Sequence, residues 1–345
     1  MLAQQTPEEP TVTFQTETKL VLLPFRILHG KDYVTEIQKS SVTFLEDGKP
    51  REFSIFDTPG AEGRLPIEIV LLFDANPKIE NLWDPKDAFR FIPQWTEELS
   101  QAILQSNPGQ NQPEVRISVY RCAGQELYRI ALPTTNPHVV TAAFHSILDT
   151  SSREIAATAL RLKLPPSRGR VTTGPFTDQY VTSYFISAEQ RGWPMEAAIG
   201  LLNEVSKAQD RVARVMVMFS EGIGATTTVP EDAGNQALDL GIPMYPIATN
   251  YKDHIQPNTY PRNHFRMQEF KALGKMTGGR ASEVPSVDAA AMRKILETVI
   301  RDVRVQYVAG FVPSSGNGAK QHNLEIRLNP KSLGQVEGGK RRAVY

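Results

Sequence analysis

The apolar pattern begins with a period of two. After the polar opening "MLAQQTPEEP", rich in Gln, Glu and Pro and without periodicity, "TKLVLLPFRIL" from Thr18 and "SVTFLEDGKPREFSIFD" from 41 to 57 read as strands. In the second of these, two alternating runs flank Asp47-Gly48, a pair favoured in type I′ turns because both central positions need positive φ. Residues 1 to 11 are therefore expected as a disordered leader and 12 to 62 as an all-β segment. "TPGAEGRLP" at 58 to 66 has the Pro and Gly density of a connection between lobes.

The pattern then changes to continuous apolar runs separated by helical periods. "IEIVLLF" is followed by a stripe through Phe89, Ile92, Leu99 and Ile103, with Pro93 ending or bending the first helix there. "EVRISVYR" and "QELYRIAL" form a strand pair, helices are expected near 137 to 149 and 152 to 163, and 165 to 183 is rich in Pro, Gly and Thr. The amphipathic "PMEAAIGLLNEVSKAQ" leads into the strand "ARVMVMF", and "EDAGNQALDLG" into "IPMYPIA". Two last helices cover about 265 to 276 and 287 to 302, after which "RVQYVAGFVP", "HNLEIRLN" and "RRAVY" are β again. Strands apolar on both faces that alternate with helices imply a doubly wound, mostly parallel α/β sheet. The two flanking β pieces, each too small to fold alone, imply one β-sandwich, with 63 to 303 inserted between its first part and its completion at 304 to 345.

Charge narrows the partners. Thirty-eight basic residues balance thirty-eight acidic ones, so no global field recruits nucleic acid or an anionic membrane. No apolar stretch approaches the roughly 18 residues of a membrane span, and "LAQQ" reads as the scar of a removed export signal, so a secreted or periplasmic location is expected. The single cysteine, Cys122, excludes an internal disulfide and reads as a strand residue. Six histidines include no HxxxH pair, no GxSxG occurs, and "EGIGATT" has Gly222 and Gly224 of a phosphate cradle but Thr227 at its third glycine. No enzyme is expected.

Open parallel sheets bind ligands at the carboxyl ends of their strands. Three such ends are legible: Asp74 after "IVLLF", Ser220-Glu221-Gly222 after "VMVMF", and Thr249-Asn250 after "YPIA", with Trp83 and Trp193 flanking them. On these residues the chain resembles a von Willebrand factor type A domain: "IEIVLLFDANPK" is similar to its first strand and loop, "MVMFSEG" to its fourth strand, "LGIPMYPIATN" to the next. The flanks, "SVTFLEDGKPREFSIFD" and "LGKMTGGRASEV" through "VRVQYVAGFVPSS", resemble the VWFA-related family first grouped in acidobacterial proteomes, over roughly residues 12 to 345.

That resemblance implies a metal-ion-dependent adhesion site, DxSxS on the first loop with a Thr and an Asp on two others. Asp74 matches the first position, Asn76 replaces the first Ser, Lys78 the second, and Glu221 the Asp of the third loop. Where a Thr is implied, "RGWPMEAA" with Trp193 has none. An ammonium has only donors, and Lys78 about 4 Å from Mg²⁺ would oppose it by about 8 kcal/mol at an effective dielectric of 20. Asp74, Asn76 and Glu221 remain as the ligand set for a magnesium site, while Lys78 between Asp74 and Glu221 would neutralise both carboxylates or hold a partner's acidic group. The expected function is a non-catalytic, exported binding or adhesion module that recognises a protein or polymer through Asp74, Asn76, Lys78, Trp193, Ser220 and Glu221, without a tightly bound metal. Two alternatives stay open: an assembly component with an inert top face, and Mg²⁺-dependent ligand binding.

Overall fold

A computed structural model of the chain describes residues 20–61, 65–74, 114–123, 126–148, 160–162, 194–208, 210–220, 230–249, 260–284, 289–313 and 320–345. Elements are numbered over these residues. The strands are β1 (Val21–His29), β2 (Asp32–Tyr33), β3 (Val42–Glu46), β4 (Lys49–Pro50), β5 (Ile55–Asp57), β6 (Ile67–Asp74), β7 (Val115–Ala123), β8 (Glu126–Thr134), β9 (Leu160–Leu162), β10 (Ala213–Ser220), β11 (Met244–Thr249), β12 (Ser282–Val284), β13 (Tyr307–Phe311), β14 (Gln321–Leu328), β15 (Gln335–Gly338) and β16 (Lys340–Val344). The helices are α1 (Pro137–Leu148), α2 (Pro194–Val205), α3 (Pro230–Leu240), α4 (Tyr260–Thr277) and α5 (Ala289–Arg304).

Both sheets of the sandwich mix strands from the two ends of the chain. One has the order β15-β1-β13-β5 with β2 on β1, the other β16-β14-β3-β4. β1 pairs antiparallel with β13 (Val21 opposite Phe311), and β3 with β14 (Val42 opposite Leu328). Alternation places Leu23, Phe25 and Ile27 against Phe44, Tyr307, Leu324 and Ile326. Phe25 stacks on Tyr307 at 5.2 Å between centroids, and Phe44 meets Phe311 edge-on at 5.4 Å. The turn at Asp47 (φ 50°) and Gly48 (φ 79°) has the two positive φ values expected of it. Where the chain leaves the sandwich and where it returns are hydrogen-bonded neighbours, since Asp57 lies opposite Val308.

The inserted sheet has the order β12-β11-β10-β6-β7-β8-β9. From β12 to β7 its neighbours pair in parallel, and β8 and β9 add as antiparallel strands. Central β6 is buried on both sides, which is why its sequence is a continuous apolar run. Ile67, Ile69, Leu71 and Phe73 meet Val140 and Ala143 of α1 and Val299, Ile300 and Val303 of α5. Val70 and Leu72 lie in the layer with Leu201 of α2, Ala237 of α3 and Phe270 of α4. The fold is of the expected class, a doubly wound, mostly parallel sheet whose sequence interrupts a β-sandwich. No described helix is long and apolar enough to cross a membrane.

One element is corrected. Residues 160–162 of the helix expected at 152 to 163 are strand β9, with Leu162 opposite Leu127 of β8. Leu160 and Leu162 alternate about Arg161, and the edge of β8 satisfies their backbone groups, so pairing overrides local helix propensity. The helix expected around Phe89 to Ile103 and the leader lie outside the described residues.

The two lobes meet at the amino edge of the sheet, around a buried arginine. Arg26 of β1 donates to Asp302 of α5 (2.8 Å), to the Gly278 carbonyl (2.9 Å) and to the Tyr245 hydroxyl of β11, and it pairs with Glu337 of β15 at 3.2 Å. Arg280 adds Glu337 (2.9 Å), Asp302 (3.1 Å) and the Tyr33 hydroxyl (2.9 Å), while Tyr33 donates to Asp302. Burial alone would lower the pKa of Arg26, but Tyr245, Asp302 and Glu337 raise it, so it stays charged. Beside this cluster, Arg341 of β16 donates to the Leu22 carbonyl (2.7 Å) and to the Asp239 carbonyl (3.0 Å) at the end of α3, and Arg342 pairs with the Asp239 carboxylate at 2.7 Å. Between the two sets, backbone touches backbone. A Cβ on Gly278 (φ +82°) would lie 2.5 Å from the Gly338 Cα, and one on Gly279 would lie 1.8 Å from the Met244 carbonyl oxygen.

Gly279→Ala is expected to destabilise the fold by about 3 kcal/mol, read as a lower midpoint in urea unfolding, because the obstacle is the Met244 main chain and cannot swing aside. Alkali is expected to do the same. Burial pushes the phenols of Tyr245, Tyr307 and Tyr345 up, and that of Tyr120 up to about 12. Below about pH 10 both states keep these protons and the stabilisation is complete; above it the unfolded chain releases them first, so stability falls. Arg341, pushed down to about 10 by burial, acts in the opposite sense, as do Arg121 and Arg304, which burial also lowers, while Tyr33 joins the four raised phenols. Urea midpoints measured from pH 8 to 11.5 should decline, and Tyr245→Phe should flatten the decline.

Candidate functional site

The carboxyl ends of β6, β7, β10, β11 and β12 share one edge, because all five strands run the same way. From β6 the chain goes to β7 on one side and later returns to β10 on the other, so the strand order reverses between β6 and β10. Such a reversal opens a crevice beyond the strand ends. Just before these two strand ends Phe73 and Phe219 stack, with centroids 4.5 Å apart and ring planes within 1°. Asp74 and Ser220 follow directly on these rings, and they end adjacent strands that are about 4.8 Å apart. Ser220 is fully buried and lies opposite Ala248 of β11.

The structure thus brings together the strand-end positions Asp74 and Ser220, with Thr249 closing β11 one strand further out. Asn76, Lys78, Trp193 and Glu221 lie outside the described residues, so the proposed cation ligands are not assembled within them. Among the described residues no group of three or more His, Cys, Asp or Glu is placed to hold a metal ion. Cys122 is a buried strand residue opposite Asp74, as its sequence position suggested.

A residue not singled out in the sequence lies beside this edge. Arg121 is two positions from the end of β7, opposite Phe73 of β6 and Tyr128 of β8, and only 6% exposed. It shares the parity of Ile117 and Val119, so it continues the face packed under α1 and α5. Its Nε has no hydrogen-bond partner, and no carboxylate among the described residues pairs with the guanidinium. Burial pulls its pKa below the ordinary arginine range, countered in part by Cys122. The signal was in "VRISVYRC", where Val115, Ile117 and Val119 lead to an arginine in the same register.

The opposite edge treats its buried charges differently. Glu68 of β6 accepts from the Ser118 hydroxyl (2.6 Å) and pairs with Arg214 at 2.9 Å, and Arg214 in turn reaches Asp210. Here anion and cation compensate each other within the sheet. Glu68→Gln is expected to cost about 3 kcal/mol in urea unfolding by leaving Arg214 unpaired on that side, and to leave any binding at the carboxyl edge unchanged, which surface plasmon resonance would check.

No family model matches the chain. Among solved structures it is similar to the human COPII-coat protein Sec24c (10% identity, TM-score 0.40, covering 81% of this chain and 43% of that one). It is similar also to the pilus adhesin SpaC from Lactobacillus rhamnosus GG (7%, 0.42, 87% and 46%) and to the ArnB paralog VWA2 from Sulfolobus acidocaldarius (9%, 0.36, 95% and 75%). The chain spans less than half the length of the first two.

Proposed function

We propose that the chain is a non-catalytic, exported binding module that recognises a protein partner through the carboxyl edge of its α/β sheet, without a tightly bound metal. The observation that carries this reading is the placement of the sandwich. Among the described residues its polar contacts, through Tyr245 at the start of β11, Asp302 near the end of α5 and Asp239 at the end of α3, lie at the amino edge, away from the strand ends at Asp74 and Ser220. A rigid base at one edge and a strand-order reversal at the other suit presentation of a binding face.

The residues present do not fit a divalent cation. Asp74 ends β6, but Lys78 stands where a second oxygen ligand is implied, and buried Arg121 places another cation on the adjacent strand. Mg²⁺ needs near-octahedral oxygen donors and gains nothing from two neighbouring cations. Recognition is therefore assigned to side chains, with Lys78 the charged group of the first loop and Trp193 an apolar contact before α2.

The test immobilises the full chain and measures capture from the extracellular fraction of the source cells. Lys78→Glu and Asp74→Asn should each lower capture of the same protein at least tenfold with unchanged unfolding midpoints, and EDTA should have no effect. Capture indifferent to both substitutions would transfer the function to the other faces and favour an assembly role. Loss in EDTA restored by Mg²⁺ would establish the metal-dependent reading instead.

A further inference from the structure

We infer that Arg121 is the anchor for a carboxylate, supplied by an Asp or Glu side chain of the protein partner; this rests on the reading of the carboxyl edge as the binding face. An arginine that is only 6% exposed carries a desolvation penalty unless an anion meets it. At the amino edge of the same sheet that demand is met internally, by Glu68 and Asp210 around Arg214. At Arg121 no described carboxylate meets it, and the Nε proton has no acceptor. The residue stands one strand from the crevice, opposite Phe73, the residue before Asp74. From its Cα an extended arginine side chain reaches as far as the two residues that separate it from the strand end, about 7 Å.

The surroundings select the anion. Val119 on its own strand and Phe73 on the next are apolar, and Tyr128 lies opposite on β8. A phosphate or sulfate brings up to two charges and four oxygens and needs several donors to leave water. A carboxylate matches one guanidinium in charge and in its two-oxygen, bidentate geometry. On an Asp or Glu side chain it also arrives on a methylene stem that an apolar collar accepts, whereas a uronic acid brings a hydroxylated ring that would have to be stripped of water. The ligand group is thus a protein side chain, and Arg121 supplies the charge that a cation would supply in a metal-dependent site.

The full chain, labelled with ¹⁵N-arginine, is titrated with N-acetyl-aspartate α-amide against sodium chloride at constant ionic strength, and the Arg121 Nε–Hε resonance is assigned with Arg121→Lys. A saturable shift of that resonance in the millimolar range, with a rise in the thermal midpoint of about 2 °C at ten times the dissociation constant, is the expected result. Arg121→Met, which keeps the bulk and removes the charge, should fold, lose the ligand-dependent rise and lower partner capture at least tenfold. If sulfate at equal ionic strength shifts the resonance more strongly than the carboxylate does, the assignment to a carboxylate is overturned. An Nε–Hε signal that ignores all added anions, with Arg121→Met merely destabilised, would show that the charge is compensated inside the chain and overturn the anchor itself. Because the titration uses the wild-type protein, it decides even if Arg121→Met does not fold. Capture abolished by Lys78→Glu but kept by Arg121→Met would leave the binding face standing and remove only this anchor.

Discussion

The molecule depends on one buried charge, the guanidinium of Arg26. It reaches from the first strand of the sandwich to a helix, a strand and a turn of the inserted domain, and to β15 on the sandwich side, so five segments share a single set of donors. Buried ion pairs seldom add much net stability, because desolvation consumes the Coulomb gain, but they penalise every arrangement in which a partner is missing. The cluster therefore acts on orientation more than on total stability. This docking of sandwich on sheet satisfies Asp302, Glu337, Tyr33 and Tyr245 together.

This docking explains the polarity of the inserted sheet. The amino edge is filled with matched charges and close backbone contacts, including the meeting of Gly278 with Gly338. The carboxyl edge ends in strand-terminal polar residues above a stacked aromatic pair, with an arginine beside it that has no anion among the described residues. The first edge is built for permanence. The second combines a stacked aromatic pair, a reversal of strand order and a buried arginine with no described counter-ion, which suits the recognition role proposed for it.

Much of the fold was legible because its causes are local. The period-two runs, the Asp47-Gly48 turn, the continuous apolar strands "IEIVLLF" and "ARVMVMF" and the amphipathic run from Pro194 each state their own structure over ten residues or fewer around them. The misses share a physical reason. β9 is three residues long and is held by its neighbour β8, and β12 and β15 have three and four residues, so pairing rather than propensity decides them. Arg26 joins positions 219 to 311 residues away, and nothing in "VLLPFRILH" announces partners at that distance. At the candidate site the sequence identified which strand ends are polar, since residue type and run length suffice for that. Arg121 escaped notice because one arginine in an alternating strand reads equally as a solvent-facing residue until its register with Phe73 and its burial are seen.

The pairing of Asp57 with Val308 has an evolutionary consequence. The chain leaves the sandwich and re-enters it on adjoining strands, so the sandwich experiences some 250 intervening residues as little more than a hairpin connection. Segments between the strands of the inserted sheet can lengthen, shorten or change chemistry without altering the gap that the base must close. New specificities can accumulate at the far end of such a molecule while its foundation is inherited unchanged.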